Sequence, residues 1–202
     1  MGFILSLAIF FTSVIVHEYA HGLCAYWLGD KTAKYAGRLT LNPLPHIDPF
    51  GTIVLPLVLY FSGSPFIFGW AKPVPINFWG LKNPKRDIIL VGLSGPFANI
   101  LLSVALSLIL KLPVGLPSFL IILLNQGIIV NMVLAVFNLI PIPPLDGSRV
   151  VFGILPRSIA LQYARVERYG FVILVILLYF RVTDYILWPI VNKALQLLKV
   201  TI

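Results

Sequence analysis

The stretch GFILSLAIFFTSVIVHEYAHGLCAYWL, residues 2–28, is an apolar run long enough to cross a bilayer as one helix. The dipeptide Gly29–Asp30 predicts its end. Three ionisable residues, His17, Glu18 and His21, lie inside the run. An ionisable side chain at membrane depth costs about 3 kcal/mol on insertion scales and tends to mark function. The run therefore predicts a spanning helix that carries a functional site.

The composition places the whole chain in a membrane. Of its 202 residues 59% are hydrophobic and 11% are charged, which is outside the usual range of soluble domains. The net charge of +8 is spread over short loops between apolar runs, without a basic aromatic face, so nucleic acid is not an expected partner. We expect one integral membrane domain over 1–202, with a core at about 1–155 and a C-terminal membrane segment at about 163–191.

Further apolar runs predict further helices. Residues 87–110 and 117–140 each fit a spanning helix, and residues 169–191 form a last apolar segment interrupted by Arg181 and Asp184. The predicted fold class is an all-α polytopic membrane protein, with a core of three transmembrane helices around a metal site and additional C-terminal helices.

Two segments depart from this helical pattern. YAGRLTL, residues 35–41, alternates between two faces and predicts a short strand. Residues 50–68 are apolar but carry Pro56, Gly63 and Pro65, so we expect a re-entrant segment more than a clean span.

The motif HEYAH predicts a metal site. Because a helix turns about 100° per residue, His17 and His21 lie about 40° apart on one face, where both imidazoles can bind one Zn²⁺. Glu18 is turned about 100° from His17, which suits a base that takes a proton from water more than a third ligand. The alternatives are a chance pattern or two histidines bonded across helices, and the second does not explain Glu18.

A catalytic zinc usually takes three protein ligands and keeps a fourth position for water. The candidates for the third ligand are Asp146 and the pair His46 and Asp48. Asp146 sits in the proline-broken turn PIPPLDG, and irregular backbone survives at membrane depth only where it lines a buried or wet site. This favours Asp146, although it could be an ordinary turn aspartate, and His46 and Asp48 could be a loop histidine and a helix cap.

HEYAH on an early helix, GPFAN on a middle helix and NLIPIPPLDG at the end of a later one resemble the site-2 protease family of intramembrane zinc metalloproteases. GWAKPVPIN and NPLPHIDPFGT resemble its small prokaryotic branch without a PDZ domain. The resemblance implies one Zn²⁺ per chain bound by His17, His21 and Asp146, with Glu18 as catalytic base. It also implies that Asn138 holds the substrate backbone or stabilises developing charge.

The resemblance further implies an endopeptidase that cuts in or near transmembrane segments of membrane proteins. We expect transmembrane protein substrates and the lipid bilayer as partners, and the sequence specifies no oligomeric state. RLTL and AKPVPIN could pair with an unwound substrate through backbone hydrogen bonds. The alternatives are a membrane zinc carrier, which needs further metal sites, and an inactive relative that binds membrane proteins, which the intact Glu18 disfavours.

The basic residues predict the orientation. If residues 50–68 re-enter, the helices at 2–28 and 117–140 run parallel, and eleven of the fifteen lysines and arginines lie on the cytosolic side, as the positive-inside rule requires. We expect an external N-terminus and an active site towards the cytosolic side of a prokaryotic cell membrane. The eleven are Lys31, Lys34, Arg38, Lys72, Lys82, Lys85, Arg86, Arg149, Arg157, Arg165 and Arg168.

Overall fold

The computed structural model describes residues 2–63 and 69–200, without the side chain of Phe3. Over these residues the chain is helical with connecting loops, which confirms the predicted all-α class. The helices are α1 (Gly2–Trp27), α2 (Thr32–Tyr35), α3 (Leu55–Phe61), α4 (Pro84–Leu110), α5 (Ser118–Asn138), α6 (Asp146–Ile154), α7 (Arg157–Ala164), α8 (Glu167–Tyr179) and α9 (Val182–Leu197).

Three of these helices, α1, α4 and α5, are long and apolar enough to cross a membrane. They correspond to the three predicted spans. The first residue of α4 is Pro84. Proline is tolerated there because the backbone N–H that it lacks would have no partner within the helix. It lies at the centre of the fold and packs against α1, α5 and α6. Any group on α4 that faces α1 therefore lies inside the bundle.

The end of α1 is fixed by the residues that predicted it. Gly29 has a φ of +115°, a conformation that favours glycine. The Asp30 carboxylate then accepts hydrogen bonds from the Thr32 amide at 2.9 Å and the Asn77 amide at 2.7 Å. Asp30 thus ties the end of α1 to the extended segment of residues 71–77, which we call the proline strap.

The predicted strand at residues 35–41 is wrong. Tyr35 ends α2, with its amide bonded to the Lys31 carbonyl, and Gly37 reverses the chain with a φ of +67°. Residues 39–41 form bends, and no strand occurs among the residues described. A seven-residue alternation has no partner strand here, and a lone strand leaves its backbone groups unpaired. This removes the basis for a substrate-pairing strand at RLTL.

The segment that begins at residue 49 folds back on itself. A π-helical turn, Pro49–Val54, continues into α3, and this apolar helix ends at Phe61. As a helix it reaches at most about 20 Å, short of the ~30 Å hydrocarbon core. The Trp70 amide donates to the Gly51 carbonyl at 3.1 Å, and the Thr52 hydroxyl donates to the Trp70 carbonyl at 2.8 Å. The two ends of the segment therefore lie side by side, which supports the re-entrant prediction; its part at 64–68 lies outside the described residues.

The C-terminal apolar segment is a bent pair of helices. α8 and α9 meet at an angle of 76°, with Arg181 at the elbow in a left-handed conformation, φ 57°. The predicted segment at 169–191 is therefore not one straight span, and its second half extends to Leu197. α9 packs against α5 in the largest apolar cluster: Ile128, Met132, Val136, Leu187, Val191, Leu195 and Val200.

Candidate metal centre

Three buried side chains bring one ligand atom each to a single point. Asp146 Oδ2 lies 2.9 Å from His17 Nε2 and 3.0 Å from His21 Nε2, and the two imidazole nitrogens lie 3.0 Å apart. Among the residues described, this is the group of histidine, cysteine, aspartate and glutamate side chains that could hold a metal ion. The structure therefore brings together the three residues predicted as ligands, which are separated by up to 129 positions in the chain.

Helix geometry explains how each ligand arrives. His17 and His21 are one turn apart on α1, as their spacing predicts. Asp146 is the first residue of α6, directly after the turn that follows α5. A Cβ on Gly147 would meet the Leu139 carbonyl oxygen at 2.2 Å, so only glycine lets this turn press onto the end of α5. That close contact sets the position of Asp146.

The ring of His17 is held by a network of amides. His17 Nδ1 donates to Asn99 Oδ1 at 2.5 Å. The Asn99 amide nitrogen donates to the Ser13 carbonyl at 3.1 Å and to Asn131 Oδ1 at 2.6 Å. Because a carbonyl only accepts, the Asn99 nitrogen faces Ser13 and its oxygen faces His17. The network thus fixes the proton of His17 on Nδ1 and leaves a lone pair on Nε2.

The ring of His21 is held in the same way by the backbone. Its Nδ1 donates to the Val91 carbonyl at 2.7 Å, which also accepts from the Ser94 hydroxyl at 2.7 Å. A carbonyl acceptor again requires the proton on Nδ1. Both histidines consequently direct a lone pair of Nε2 towards Asp146, the arrangement that metal-binding histidines adopt when their other nitrogen is hydrogen-bonded.

This donor set fits zinc. Three acceptor atoms that face one another at 2.9–3.0 Å repel unless a cation lies among them. Ligand bonds of ~2.0–2.1 Å in a tetrahedron place ligand atoms about 3.3 Å apart, so the observed triangle is only a few tenths of an ångström too small. Space beside it is kept by Gly95 on α4, since a Cβ there would meet His21 Nε2 at 2.4 Å and His17 Nε2 at 2.6 Å. Two histidines and a carboxylate are also a known ligand set of catalytic zinc.

Glu18 points away from the ligands and towards the proline strap. Its Oε2 accepts the amide of Val74 at 2.7 Å. The strap is held on both sides of this contact, because the Lys72 amide donates to the His46 carbonyl and the Asn77 amide to Asp30. Among the residues described, no hydrogen bond reaches Glu18 Oε1, so one carboxylate oxygen is fixed and the other is available.

The rival ligand pair has other tasks. His46 is buried and its Nε2 donates to the Thr40 carbonyl at 2.9 Å. Asp48 accepts the amides of Phe50 and Gly51 and thereby caps the π-helical turn. Neither belongs to the cluster around Asp146. The geometry therefore favours Asp146 as the third ligand.

The structure does not join Asn138 to the cluster. Its side-chain amide donates to the Leu134 carbonyl one turn earlier in α5, at 3.0 Å, and within the described part of the chain it has no hydrogen bond to a predicted ligand. Its role in holding the substrate stays a prediction.

Sequence reasoning missed Asn99, Asn131 and Gly95. A signal was present for the two asparagines, because each interrupts an apolar helix and an amide inside a membrane needs a partner. Gly95 lies in the GPFAN stretch that carried the family resemblance, but its contact with both imidazoles depends on how α4 packs on α1. No pattern along the chain encodes that contact.

Comparison with known proteins agrees with the site. The model of peptidase family M50 matches residues 116–180. A relative from Bacillus subtilis, YwhC, is 36% identical over 203 residues, which cover 95% of this chain and 86% of the relative. Rip2 of Mycolicibacterium smegmatis is 31% identical over 178 residues, which cover 87% of this chain and 67% of the relative. Both are named "Putative zinc metalloprotease". No solved structure matches the chain significantly.

The resemblance seen in HEYAH, GPFAN and NLIPIPPLDG is thereby confirmed. The apolar helices α1, α4 and α5 agree with a protein that crosses the membrane several times. The chain therefore belongs to peptidase family M50, the site-2 protease family, and is a membrane metalloprotease.

Proposed function

We propose that this protein is an intramembrane endopeptidase that holds one zinc ion per chain with His17, His21 and Asp146 and uses Glu18 as its general base. The observation that carries the proposal is the triangle of three ligand atoms at 2.9–3.0 Å, formed in part by the spanning helix α1. A metal centre built on a spanning helix acts on peptide bonds that are themselves in or near the membrane.

Zinc bound by these residues would polarise the attacking water and the scissile carbonyl. Glu18 takes the proton from that water and returns it to the leaving amine nitrogen. The Val74 amide holds Oε2 of Glu18 at 2.7 Å, which restrains the carboxylate and leaves Oε1 without a hydrogen bond among the residues described. In the proposal, Oε1 is the atom that accepts the proton. Asn99 and the Val91 carbonyl keep the imidazoles of His17 and His21 in the orientation that binds the metal, because each imidazole keeps its proton on Nδ1 and donates it to one of these two acceptors.

The proposed substrate class is a transmembrane segment of another membrane protein. Carbonyl groups of a helix are already bonded within the helix, so such a segment must unwind locally before a peptide bond can react. The proposed location of the site is the cytosolic side of a prokaryotic cell membrane. Basic residues support this side, because eleven of the fifteen lysines and arginines lie in segments that the re-entrant topology places on one side of the membrane.

A zinc carrier is less well supported. A carrier needs a series of sites along a polar path, whereas the described residues contain a single cluster that could hold a metal ion. An inactive relative is also disfavoured, because Glu18 is present and the Val74 amide holds its carboxylate in place.

The test compares zinc content with cleavage of a panel of transmembrane peptides in liposomes. Glu18→Gln should retain one zinc per chain and lose cleavage by about 10²-fold or more, the usual contribution of a general base. Asp146→Asn should lose both zinc and cleavage. Glu167→Gln, the same substitution at the chain's other glutamate, exposed at the start of α8, should change neither.

Outcomes separate the parts of the proposal. If the wild type binds zinc but cleaves no faster than Glu18→Gln, Glu18 is not the general base. If Asp146→Asn binds zinc with wild-type affinity, Asp146 is not the third ligand. Cleavage of soluble loops but of no transmembrane peptide would remove the intramembrane substrate and leave a membrane metalloprotease.

A further inference from the structure

A cavity that is distinct from the metal centre opens beside α6. It has a volume of about 530 Å³ and lies between the start of α4, the Pro143–Pro144 turn, α6 and α7. This size is that of an ordinary small-molecule site. Its walls combine apolar side chains, among them Phe152 and Leu161, with three cationic ones. We call this cavity the basic pocket and define its cations as Lys85, Arg149 and Arg157.

The charges of the basic pocket are unbalanced. Among the described residues of its wall, Glu167 is the single acidic side chain. In the part of the chain that the structure describes, one ion pair joins Arg181 to Asp184, and the other close acidic contacts are those of Asp146 with its two histidines. None of these contacts involves a cation of the pocket. Asp87, one turn along α4, is buried and its carboxylate accepts the Asn83 amide at 2.8 Å. The pocket therefore has a net positive charge available for an anion.

The pocket lies at the start of a candidate spanning helix, beside two aromatic residues, Phe78 and Trp79. The guanidinium of Arg149 lies 4.9 Å from the ring centre of Phe78, which supports it against the wall. Trp79, the next residue, is 91% exposed, and exposed tryptophan is typical of the bilayer interface. Pro84 and Lys85 begin the spanning helix α4. These features favour a position of the pocket at the level of the lipid headgroups.

An anion that fits this pocket must also have apolar parts. Arginine forks match phosphate oxygens in a bidentate way, and basic pockets between membrane helices on the cytoplasmic side bind lipid headgroups. Ile88, Phe152 and Leu155 offer an apolar wall that a soluble phosphate would leave in contact with water. A phosphodiester that carries acyl chains satisfies both surfaces.

We propose that the basic pocket binds the phosphodiester headgroup of an anionic phospholipid. The lipid phosphate contacts Lys85, Arg149 and Arg157, and its acyl chains lie along the apolar wall. Asp146 and Arg149 are within one turn of α6, so the bound lipid also braces the helix that supplies the third predicted metal ligand. The site is independent of the proposed peptidase reaction and would exist in a variant without catalysis.

Native mass spectrometry of the detergent-solubilised full chain tests this, with phosphatidylglycerol and phosphatidylcholine supplied in equal amounts. Wild type should retain phosphatidylglycerol about tenfold or more over phosphatidylcholine. The triple variant Lys85→Gln, Arg149→Gln, Arg157→Gln should retain both lipids alike. The matched control replaces three cations of the same predicted side that do not line the pocket, Lys82, Arg165 and Arg168, with glutamine and should behave as wild type.

Several results would overturn the proposal. Equal retention of the two lipids by wild type would show that no such site exists, whatever the variants do. Equal loss in both triple variants would indicate a general surface charge effect. Displacement of the lipid by millimolar inorganic phosphate would indicate a soluble phosphate site, and tighter binding of an Asp/Glu-rich peptide would indicate a peptide site. If the triple variant loses zinc or unfolds, Arg157→Gln at the exposed start of α7 replaces it and should lower the preference several-fold.

Discussion

Replacing Gly95 with alanine tests the metal centre with a single methyl group. Gly95 lies on the face of α4 that packs against α1. An alanine Cβ there would stand 2.4 Å from His21 Nε2, 2.6 Å from His17 Nε2 and 2.7 Å from His17 Cε1. Ordinary contacts begin at 3.4 Å, so the methyl group overlaps both ligand nitrogens by about 1 Å.

The two imidazoles cannot easily move away. His17 is held at Nδ1 by Asn99 and His21 by the Val91 carbonyl, so a ring that swings aside loses a buried hydrogen bond. A zinc site tolerates changes of about 0.2 Å in its ligand distances. Changes in groups that only orient the ligands already cost about 10–100-fold in metal affinity. A displacement of about 1 Å should therefore weaken zinc binding by at least 100-fold, while the long helices α1 and α4 remain folded.

The assay is a competition for zinc between the purified protein and a chelator, with helix content and thermal unfolding recorded on the metal-free protein. Gly127→Ala is the matched control, because it makes the same change in the spanning helix α5. Among the residues that the structure describes, its Cβ would meet only a methyl of Leu106, at 2.9 Å, and that flexible side chain can shift. Gly95→Ala with wild-type zinc affinity would refute the reasoning about the cluster. Equal loss of zinc in both variants would indicate a general packing defect.

Two further predictions concern Glu18 and the membrane topology. Val74→Pro removes the amide that donates to Glu18, so it should lower cleavage about tenfold or more while the amount of bound zinc stays unchanged. The control Val74→Ala keeps this amide and should cleave at the wild-type rate. Equal cleavage by both variants would show that the contact does not orient the base. In the re-entrant topology a cysteine that replaces Lys111 should react with a membrane-impermeant thiol reagent added outside the cell, whereas a cysteine that replaces Gly63 should not. External labelling at position 63 would show that residues 50–68 cross the membrane.

The parts of the fold that the sequence predicted depend on local patterns. Spanning helices follow from the length of apolar runs, so the predicted spans match α1, α4 and α5 closely. His17 and His21 meet because both lie on one helix at a spacing that places them on one face. Asp146 could be favoured over the other candidates because an irregular, proline-broken turn at membrane depth occurs only where it lines a buried or wet site.

The parts that the sequence did not predict depend on contacts between distant elements. The partner of His17 is Asn99, 82 residues away, and their meeting is set by the register of α4 against α1. The bend between α8 and α9 depends on a left-handed conformation at Arg181, which the sequence does not signal because arginine seldom adopts it. The strand expected at residues 35–41 failed because alternation describes the faces of a strand but not the presence of a partner.

Polar groups inside the bundle form one connected path that ends at the predicted metal ligands. The Asn131 amide donates to the Gly127 carbonyl at 2.8 Å and to the Ser13 hydroxyl at 2.9 Å, and its oxygen accepts from Asn99. Asn99 in turn accepts from His17. Within a bilayer no water replaces a missing partner, so an apolar substitution along this path leaves a buried donor or acceptor unpaired.

This constraint links three helices to one imidazole. α1 contributes Ser13 and His17, α4 contributes Asn99, and α5 contributes Asn131. A flip of either amide would direct two donors or two acceptors at each other, because the Gly127 and Ser13 carbonyls can only accept. The lone pair of His17 Nε2 is thus oriented by the packing of the three spanning helices. The ligand geometry is therefore built into the bundle and does not depend on HEYAH alone.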